Sequence, residues 1–400
     1  MSARAVASEV VRRTFEEGAY TDRAFPAEAA RAGLEGRDRR LAMRLAYGTV
    51  QRVRTLDHAM EALASRHPAG LQPALRAVLR VGAYQILFAS GIPARAAVHE
   101  TVELAKRATG RRTAGLANAV LRRIAEAGPG WVDGLPPALR HSYPDWVAAE
   151  WEAMLGEQAE TLMAAQNEPP ELAVRVNALR ATRPVELGVA THGDPELPEA
   201  LVIDEPFDVA ASAAAASGLI WPQSRASMLP ARLLAPEPGM RVLDLCAAPG
   251  GKSGQLAALM DDRGTLVCVE RHAGRARALS ETLARFGASC ARVVEADALD
   301  FAETRGFDRI LLDPPCSGLG VLASRPDARW RRSEQDAREL AALQHRLLDH
   351  ATGLLASGGR LVYSVCTIRR DECEGVLPGG RQTLPHRDRT DGFYVAALDP

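Results

Sequence analysis

The sequence lacks a long apolar run and any closely spaced pair of cysteines. No apolar stretch approaches the ~20 residues that a membrane-spanning helix requires, and the start, MSARAVASEVVRR, has no signal-peptide core. We therefore expect a cytoplasmic protein without a membrane partner. The cysteines form no CxxC pair and no disulfide-like spacing, which predicts reduced thiols and no metal site; they are Cys246, Cys268, Cys290, Cys316, Cys366 and Cys373.

Lysine is almost absent, and charge is unevenly distributed. Of the 49 basic residues only Lys106 and Lys252 are lysine, so Lys252 within a glycine-rich loop indicates that a compact ammonium group is needed there. Residues 1–130 hold 21 Lys and Arg against 12 Asp and Glu, whereas residues 131–400 hold 28 against 38. The basic first part favours a polyanionic partner, although an Arg-rich solvated helical surface would give the same excess.

Three regions are indicated along the 400 residues, a length that suits two or three domains. Apolar residues at helical spacing predict an all-α domain over residues 1–128. Residues 129–216 begin with Gly and Pro residues that cannot continue a helix, then give helices and the alternating strand pattern LAVRVN. From 217 to 400 strand-like runs alternate with helical segments, which predicts an α/β domain with a doubly wound, mostly parallel sheet.

The stretch VLDLCAAPGGKSG at 242–254 predicts a buried strand that enters a helix through a ligand-binding loop. A P-loop would need glycine where Cys246 stands, and the spacing of Gly250, Gly251 and Gly254 does not fit a dinucleotide-binding loop. The remaining candidate is an S-adenosylmethionine loop, whose phosphate-free cofactor calls for carboxylates. Glu270 ends the next strand-like run, placed for the ribose hydroxyls, and Asp297 follows the third, placed for the adenine edge.

Two cysteines follow the ends of two further predicted strands. Cys316 comes after the strand at 309–312 in the segment DPPC, and Cys366 directly follows the strand at 360–365. The helix between them begins at Ser333 and, ending at Gly358-Gly359, would return the chain by a right-handed crossover, which brings both strand ends to one edge of the sheet. We therefore expect the two thiols to meet beside the cofactor.

Four motifs resemble those of RNA cytosine-C5 methyltransferases: DLCAAPGGK at 244–252, LLDPPCSGLG at 311–320, VYSVCTI at 362–368 and DGFYVA at 391–396. Segments within the first 125 residues, such as LRVGAYQILF at 79–88, are similar to the NusB-like domain of one branch, the RsmB (Sun/Fmu) enzymes of 16S ribosomal RNA. The resemblance covers nearly the whole chain. It implies an S-adenosylmethionine-dependent enzyme that acts on RNA, and a small subdomain resembling an RNA-recognition fold before the catalytic domain.

The resemblance also implies roles for individual residues. Cys366 would attack C6 of the cytosine, Cys316 would assist release of the methylated product, Asp313 would bind the base, and Lys252 would organise the pocket. The implied cofactor-binding residues are Cys246, Ala247, Ala248, Pro249, Gly250, Gly251, Lys252, Glu270, Asp297 and Asp313. Candidate RNA contacts are Arg325, Arg329, Trp330 and Arg331 after the DPPC segment, and Arg107, Arg111, Arg112, Arg122 and Arg123 in the helical domain.

Other interpretations remain open. Asp-Pro-Pro also begins the motif of adenine-N6 methyltransferases, although an aromatic residue normally follows there and Cys316 follows here. A transfer RNA substrate, or a noncatalytic RNA-binding assembly factor, would share much of the same pattern. Ser224 and Arg370 replace an acidic residue and a proline of the family pattern, and Glu270 replaces an aspartate. We expect a monomer.

Overall fold

The computed structural model describes residues 1–181 and 184–399 and divides into two compact units. One unit comprises Met1–Pro169 together with Leu322–Arg331, and the other comprises Pro170–Val321 together with Arg332–Pro400. The three-domain scheme from the sequence places its boundaries at 128 and 216 and stays a prediction. The insertion of Leu322–Arg331 into the helical unit was not predicted.

The helical unit is all-α, and its N-terminal helices pack around an apolar core. Two glycines allow its helices to pack closely: a Cβ atom at Gly48 would lie 2.1 Å from the ring of Tyr84, and one at Gly82 would lie 2.7 Å from the Thr101 side chain. The predicted all-α first domain is confirmed. The helices before the insertion are α1 (Ala3–Glu16), α2 (Thr21–Arg31), α3 (Gly36–Gln51), α4 (Val53–Ala64), α5 (Pro73–Leu87), α6 (Ala94–Thr109), α7 (Arg111–Ala127), α8 (Pro137–Arg140), α9 (Asp145–Leu155) and α10 (Gln158–Ala165).

The inserted segment Leu322–Arg331 is held in this unit by polar contacts as well as by packing. The fully buried guanidinium of Arg329 donates to the carbonyl of Ser142 at 3.2 Å and to the side-chain oxygen of Asn167 at 3.0 Å. The indole of Trp330 donates to the carbonyl of Val50 at 2.8 Å. Because these acceptors are buried, the segment supplies hydrogen bonds that the helical core requires.

The second unit begins with a small antiparallel sheet of four strands in the order β2-β3-β1-β4. The predicted strand at 172–177 is β1, the central strand that pairs with both β3 and β4. Its elements are β1 (Ala173–Val176), β2 (Thr191–Gly193), β3 (Ala200–Ile203), α11 (Ala213–Ala216) and β4 (Ile220–Pro222).

The larger sheet has seven strands in the order β10-β11-β9-β8-β5-β6-β7. Strands β5 to β9 run parallel, and β10 and β11 extend the sheet in antiparallel pairing, so the predicted mostly parallel doubly wound sheet is confirmed. Its elements are α12 (Arg225–Leu234), β5 (Arg241–Asp244), α13 (Gly251–Leu259), β6 (Thr265–Glu270), α14 (Ala273–Phe286), β7 (Ala291–Glu295), β8 (Phe307–Leu312), α15 (Ala328–Arg331, in the helical unit), α16 (Glu334–Gly353), β9 (Leu355–Val365), β10 (Arg381–Thr383), α17 (Pro385–Asp388) and β11 (Phe393–Leu398).

Helix α16 begins as predicted, with Ser333 as the N-cap and Asp336 completing a capping box. Its predicted end was wrong. The helix ends at Gly353 and β9 already begins at Leu355, because this strand pairs with β8 from Phe307 onward. The crossover still delivers Cys366 to the carboxyl end of β9, beside the carboxyl end of β8.

Candidate active site

The loop between β5 and α13, residues 245–250, lies at the carboxyl edge of the parallel sheet. Gly250 has a φ of +102°, which L side chains rarely adopt. Gly254 serves packing, since a Cβ atom there would lie 2.1 Å from the ring of Phe286 on α14. The two glycines therefore have different structural roles. Gly250 allows the backbone conformation of the turn, and Gly254 allows α13 to pack closely against α14.

A network of hydrogen bonds between buried polar side chains reaches the end of this loop. Arg175 on β1 donates to the carbonyl of Gly251 at 3.2 Å and to the side-chain oxygen of Gln223 at 2.9 Å, while Gln223 donates to Gln255 at 3.0 Å. Burial lowers the pKa of Arg175 to about 10. The small sheet thus reaches the first turn of α13 through a buried cation, a contact that the sequence pattern RVN did not reveal.

Asp244 closes β5 and is almost fully buried beneath the loop. One carboxylate oxygen accepts from the Ser253 hydroxyl at 2.7 Å, and the other has no hydrogen-bond partner among the described residues. Burial raises the pKa of Asp244 to about 7, the charge of Asp313 adds to this, and the Ser253 hydrogen bond opposes it.

The two carboxylates predicted to bind the cofactor follow neighbouring strands. Glu270, at the end of β6, is 5% exposed; it accepts from the backbone N–H of His272 at 2.9 Å and forms an ion pair with Arg275 at 3.2 Å. Arg275 also donates to the carbonyl of Ala248 at 3.2 Å. Asp297, beyond β7, accepts from the backbone N–H of Leu299 at 3.0 Å. Both carboxylates lie at the edge that carries the glycine loop, and Arg275 is a further side chain there that the sequence did not single out.

Asp313 follows β8 and is held from two sides. The ammonium group of Lys252 lies 2.7 Å from Oδ2, and the hydroxyl of Ser364 on β9 donates to Oδ1 at 2.8 Å. Burial lowers the pKa of Lys252, but Asp313 and the thiol of Cys366 more than offset this and hold the pKa above its ordinary value. Lys252 therefore remains a cation, and it lies 5.0 Å from the ring centre of Phe393.

The two predicted cysteines do come together: the Sγ atoms of Cys316 and Cys366 are 3.4 Å apart. The pKa of the Cys316 thiol is raised well above its ordinary value, first by its hydrogen bond with Cys366 and then by burial. The residues after the cysteines are also paired, since the hydroxyls of Ser317 and Thr367 lie 2.7 Å apart. Cys268, by contrast, is fully buried inside β6, where burial raises its thiol pKa.

Two residues that depart from the family pattern lie apart from this cluster of contacts. Ser224 stands at the N-cap position of α12, and its hydroxyl has no partner among the described residues. Arg370 is exposed. Neither contact pattern indicates a catalytic role.

The predicted RNA contacts divide into buried and exposed residues. For Arg329 the prediction was wrong, because its guanidinium is fully buried and bonded within the helical unit. Trp330 and Arg331 are likewise bound there: Trp330 to Val50, and Arg331 to Asp327 and to the carbonyls of Gly18 and Ala19. The side chains that remain exposed, as RNA binding would require, are Arg325, Arg107, Arg111, Arg112, Arg122 and Arg123.

No cluster of three or more His, Cys, Asp or Glu side chains in residues 1–181 and 184–399 is arranged to hold a metal ion. Over the same ranges, no helix is both long and apolar enough to cross a membrane.

Three protein-family models match the chain. The model described as 16S rRNA methyltransferase RsmB/F matches residues 231–379, the NusB family model matches residues 1–126, and a ferredoxin-like domain model of RsmF/B-like methyltransferases matches residues 143–210. The last match covers β1, β2 and β3 of the small antiparallel sheet.

Relatives match over the full length. The probable ribosomal RNA small subunit methyltransferase B of Synechocystis is 33% identical, covering 100% of this chain and 99% of its own. The ribosomal RNA small subunit methyltransferase B of Vibrio cholerae is 32% identical, covering 100% and 97%. The crystal structure of PH0851 superposes with a TM-score of 0.83 at 25% identity, covering 100% and 99%. The chain belongs to the RsmB/F family of 16S rRNA methyltransferases.

Proposed function

We propose that this protein transfers a methyl group from S-adenosylmethionine to C5 of a cytosine in 16S ribosomal RNA, through a covalent bond between Cys366 and C6 of the base. The observation that carries the proposal is the 3.4 Å separation of the Cys316 and Cys366 sulfur atoms at the edge of the sheet that holds the glycine loop. Methylation of RNA is the activity named for the matched family and for its relatives.

The residues around the glycine loop fit S-adenosylmethionine. Glu270 presents a buried carboxylate for the two ribose hydroxyls, Asp297 follows the adjacent strand, and Asp244 keeps one carboxylate oxygen without a hydrogen-bond partner among the described residues. Carboxylates accept hydrogen bonds from hydroxyl and amino groups and would repel a phosphate. The bound cofactor supplies an electrophilic methyl group on a sulfonium.

A thiol is the group that this chemistry requires. C5 of cytosine is an unactivated ring carbon, and addition of a nucleophile at C6 converts the ring into an enamine that can attack the methyl group. The nucleophile must add readily and leave again, which suits a thiolate. An unperturbed thiol of pKa ~8.5 is only a few per cent ionised at neutral pH. We expect the positive charge of Lys252, and a hydrogen bond donated by Cys316, to favour the ionised form of Cys366.

The raised pKa of Cys316 and its contact with Cys366 support different roles for the two thiols. With Cys366 ionised, the Cys316 thiol keeps its proton and donates it in the hydrogen bond. Once Cys366 is bonded to C6 its negative charge is gone, and with it the largest cause of the raised pKa. The partly exposed Cys316 then loses its proton to solvent and can accept the proton from C5, while Cys366 leaves as a thiolate.

Asp313 is the residue placed to orient the base. Its two oxygens are held by Lys252 and Ser364, so the carboxylate has one fixed orientation beside the thiols. A fixed carboxylate accepts a hydrogen bond from the exocyclic amine of cytosine, which holds the base in one orientation for addition at C6. Lys252 pairs with this carboxylate and lies close enough to Cys366 for their charges to interact.

An RNA partner is supported by exposed arginines of the helical unit. Arg111 and Arg112 occupy the first turn of α7, directly after Gly110, and Arg107 lies in the last turn of α6. Cations at a helix N-terminus oppose the helix dipole, so Arg111 and Arg112 weaken α7. Binding of RNA phosphates to these two arginines would offset the unfavourable interaction with the helix dipole.

The test is covalent trapping on RNA that contains 5-fluorocytidine. Fluorine at C5 cannot leave as a proton does, so a carbon-methylating enzyme remains bonded to the RNA after transfer. We expect a protein–RNA band on a denaturing gel with 16S ribosomal RNA, no band with Cys366→Ala, and, on ordinary RNA, a persistent band with Cys316→Ala. Absence of any trapped band from an enzyme that methylates RNA would favour an amino nitrogen as the target, and trapping on transfer RNA alone would change the substrate.

A further inference from the structure

The peptide groups before and after Cys316 are each hydrogen-bonded to a buried side chain, and these two side chains are also bonded to each other. Gln344 on α16 donates to the carbonyl of Pro315 at 2.9 Å, and the carboxylate of Glu372 accepts from the backbone N–H of Ser317 at 2.8 Å. Gln344 also donates to Glu372 at 3.0 Å. Both side chains are 0% exposed, so no water competes for these contacts.

Tyr363 ties this pair to the strand that carries Cys366. Its hydroxyl lies 3.0 Å from the side-chain oxygen of Gln344 and 2.7 Å from the backbone carbonyl of Glu372. Two further contacts join the turns themselves: Ser317 pairs with Thr367, and the backbone N–H of Gly320 donates to the carbonyl of Cys366 at 3.0 Å. The position of Cys316 relative to Cys366 is therefore set by side chains from three elements.

The two cysteines depend on these contacts unequally. Cys366 directly follows β9. The residue before it, Val365, is still paired with Tyr394 on β11, so the sheet fixes the backbone next to Cys366. Cys316 lies in a turn beyond the end of β8, which leaves it without such a ladder. Loss of the Gln344 and Glu372 contacts should therefore displace Cys316 while Cys366 keeps its place.

We propose that Gln344 and Glu372 are positioning residues for release of the methylated RNA, holding Cys316 where it can take the C5 proton. This inference rests on the proposed function. In the release step the C5–H bond breaks, its electron pair forms the C5=C6 double bond, the S–C6 bond breaks with its electrons left on Cys366, and the Cys316 thiolate receives the proton. The buried charge of Glu372 also helps to keep Cys316 protonated before the adduct forms.

The variants Glu372→Ala and Gln344→Leu remove the two contacts, and Glu372→Gln keeps a hydrogen-bond acceptor for Ser317 while it removes the charge. The release rate is measured by methylating ordinary 16S ribosomal RNA with tritiated S-adenosylmethionine and stopping samples in detergent at successive times. A denaturing gel then separates protein-linked RNA from free methylated RNA. Trapping on 5-fluorocytidine RNA measures adduct formation alone. Matched controls are Gln335→Leu, on the exposed face of α16, and Glu374→Ala, which is exposed two residues after Glu372.

We expect the Ala and Leu variants to slow release about tenfold or more, so that protein-linked RNA accumulates, with adduct formation within about threefold of wild type. Glu372→Gln should restore most of the release rate, and both controls should behave as wild type. Equal slowing of formation and release, or unchanged release in the Ala and Leu variants, would overturn the inference. If the wild-type enzyme traps no 5-fluorocytidine RNA, the proposed function is wrong. If the wild-type enzyme traps this RNA but the variants release methylated RNA at the normal rate, only the positioning role of Gln344 and Glu372 is wrong.

Discussion

The ammonium group of Lys252 and the carboxylate of Asp313 lie 2.7 Å apart, and Lys252 is the only lysine of residues 107–400 in a chain that otherwise uses arginine. The pair joins the first turn of α13 to the turn after β8. An arginine carries its charge on a longer, planar group and would not fit at the same distance without displacing Asp313. The rare lysine and the ion pair therefore have one explanation, a compact cation at the centre of the candidate active site.

Substitution of Lys252 should abolish most activity. Lys252→Met leaves Asp313 without its cation and Cys366 without a nearby positive charge, and we expect a loss of about 100-fold or more in single-turnover methyl transfer. Lys252→Arg should recover only part of it. Lys106→Met is the matched control, since Lys106 is half-exposed and pairs with Glu103 on α6. Wild-type transfer by Lys252→Met would refute the assignment.

The buried carboxyl group of Asp244 should make stability depend on pH. The folded-state pKa of about 7 lies above the unfolded value, so the folded state holds this proton more tightly and stability falls as pH rises between the two values. Asp244→Asn removes this loss. We expect the variant to gain roughly 2 to 3 kcal/mol relative to wild type between pH 5 and pH 8, from urea unfolding at both values. A difference that does not change with pH would contradict the raised pKa.

The buried guanidinium of Arg329 should matter for stability and not for RNA binding. Arg329→Ala leaves the carbonyl of Ser142 and the amide oxygen of Asn167 without a donor, which should lower the free energy of unfolding by roughly 2 to 4 kcal/mol. Arg325→Ala, at an exposed position of the same segment, should change it by less than about 0.5 kcal/mol. Urea unfolding followed by circular dichroism measures both; equal stability of the two variants would count against a structural role for Arg329.

The arginines at the start of α7 should bind phosphate. The double variant Arg111→Gln/Arg112→Gln should weaken RNA binding and reduce the slope of log affinity against log salt by about 2. It should unfold at the same or slightly higher urea concentration, because two cations leave a helix N-terminus. A double variant of exposed arginines in the second unit that pair with carboxylates, Arg263→Gln/Arg338→Gln, is the control. An unchanged salt slope would remove Arg111 and Arg112 from the RNA surface.

The sequence predicted the sheet and the meeting of the cysteines because both follow from simple rules. Apolar runs mark buried strands, and the carboxyl ends of parallel strands share an edge, so Cys316 and Cys366 had to approach each other once the crossover was placed. The proximity is confirmed; the catalytic roles stay predictions.

Partners within the site could not be predicted in the same way. Ser364, Gln344 and Glu372 belong to β9, α16 and the turn after β9, and which polar group each one meets depends on strand register and side-chain direction. The RNA contact predicted for Arg329 was wrong for a related reason. An arginine in a charged stretch is usually exposed, and its burial here follows from the helices packed around it.

The helical unit is discontinuous in sequence, with a consequence for how the protein is made. Its last part, Leu322–Arg331, follows 152 residues of the other unit, Pro170 to Val321. A ribosome that synthesises this chain has therefore already made β1 to β8 when it adds Arg329, so the helical core stays incomplete until the first strands of the catalytic sheet have been synthesised.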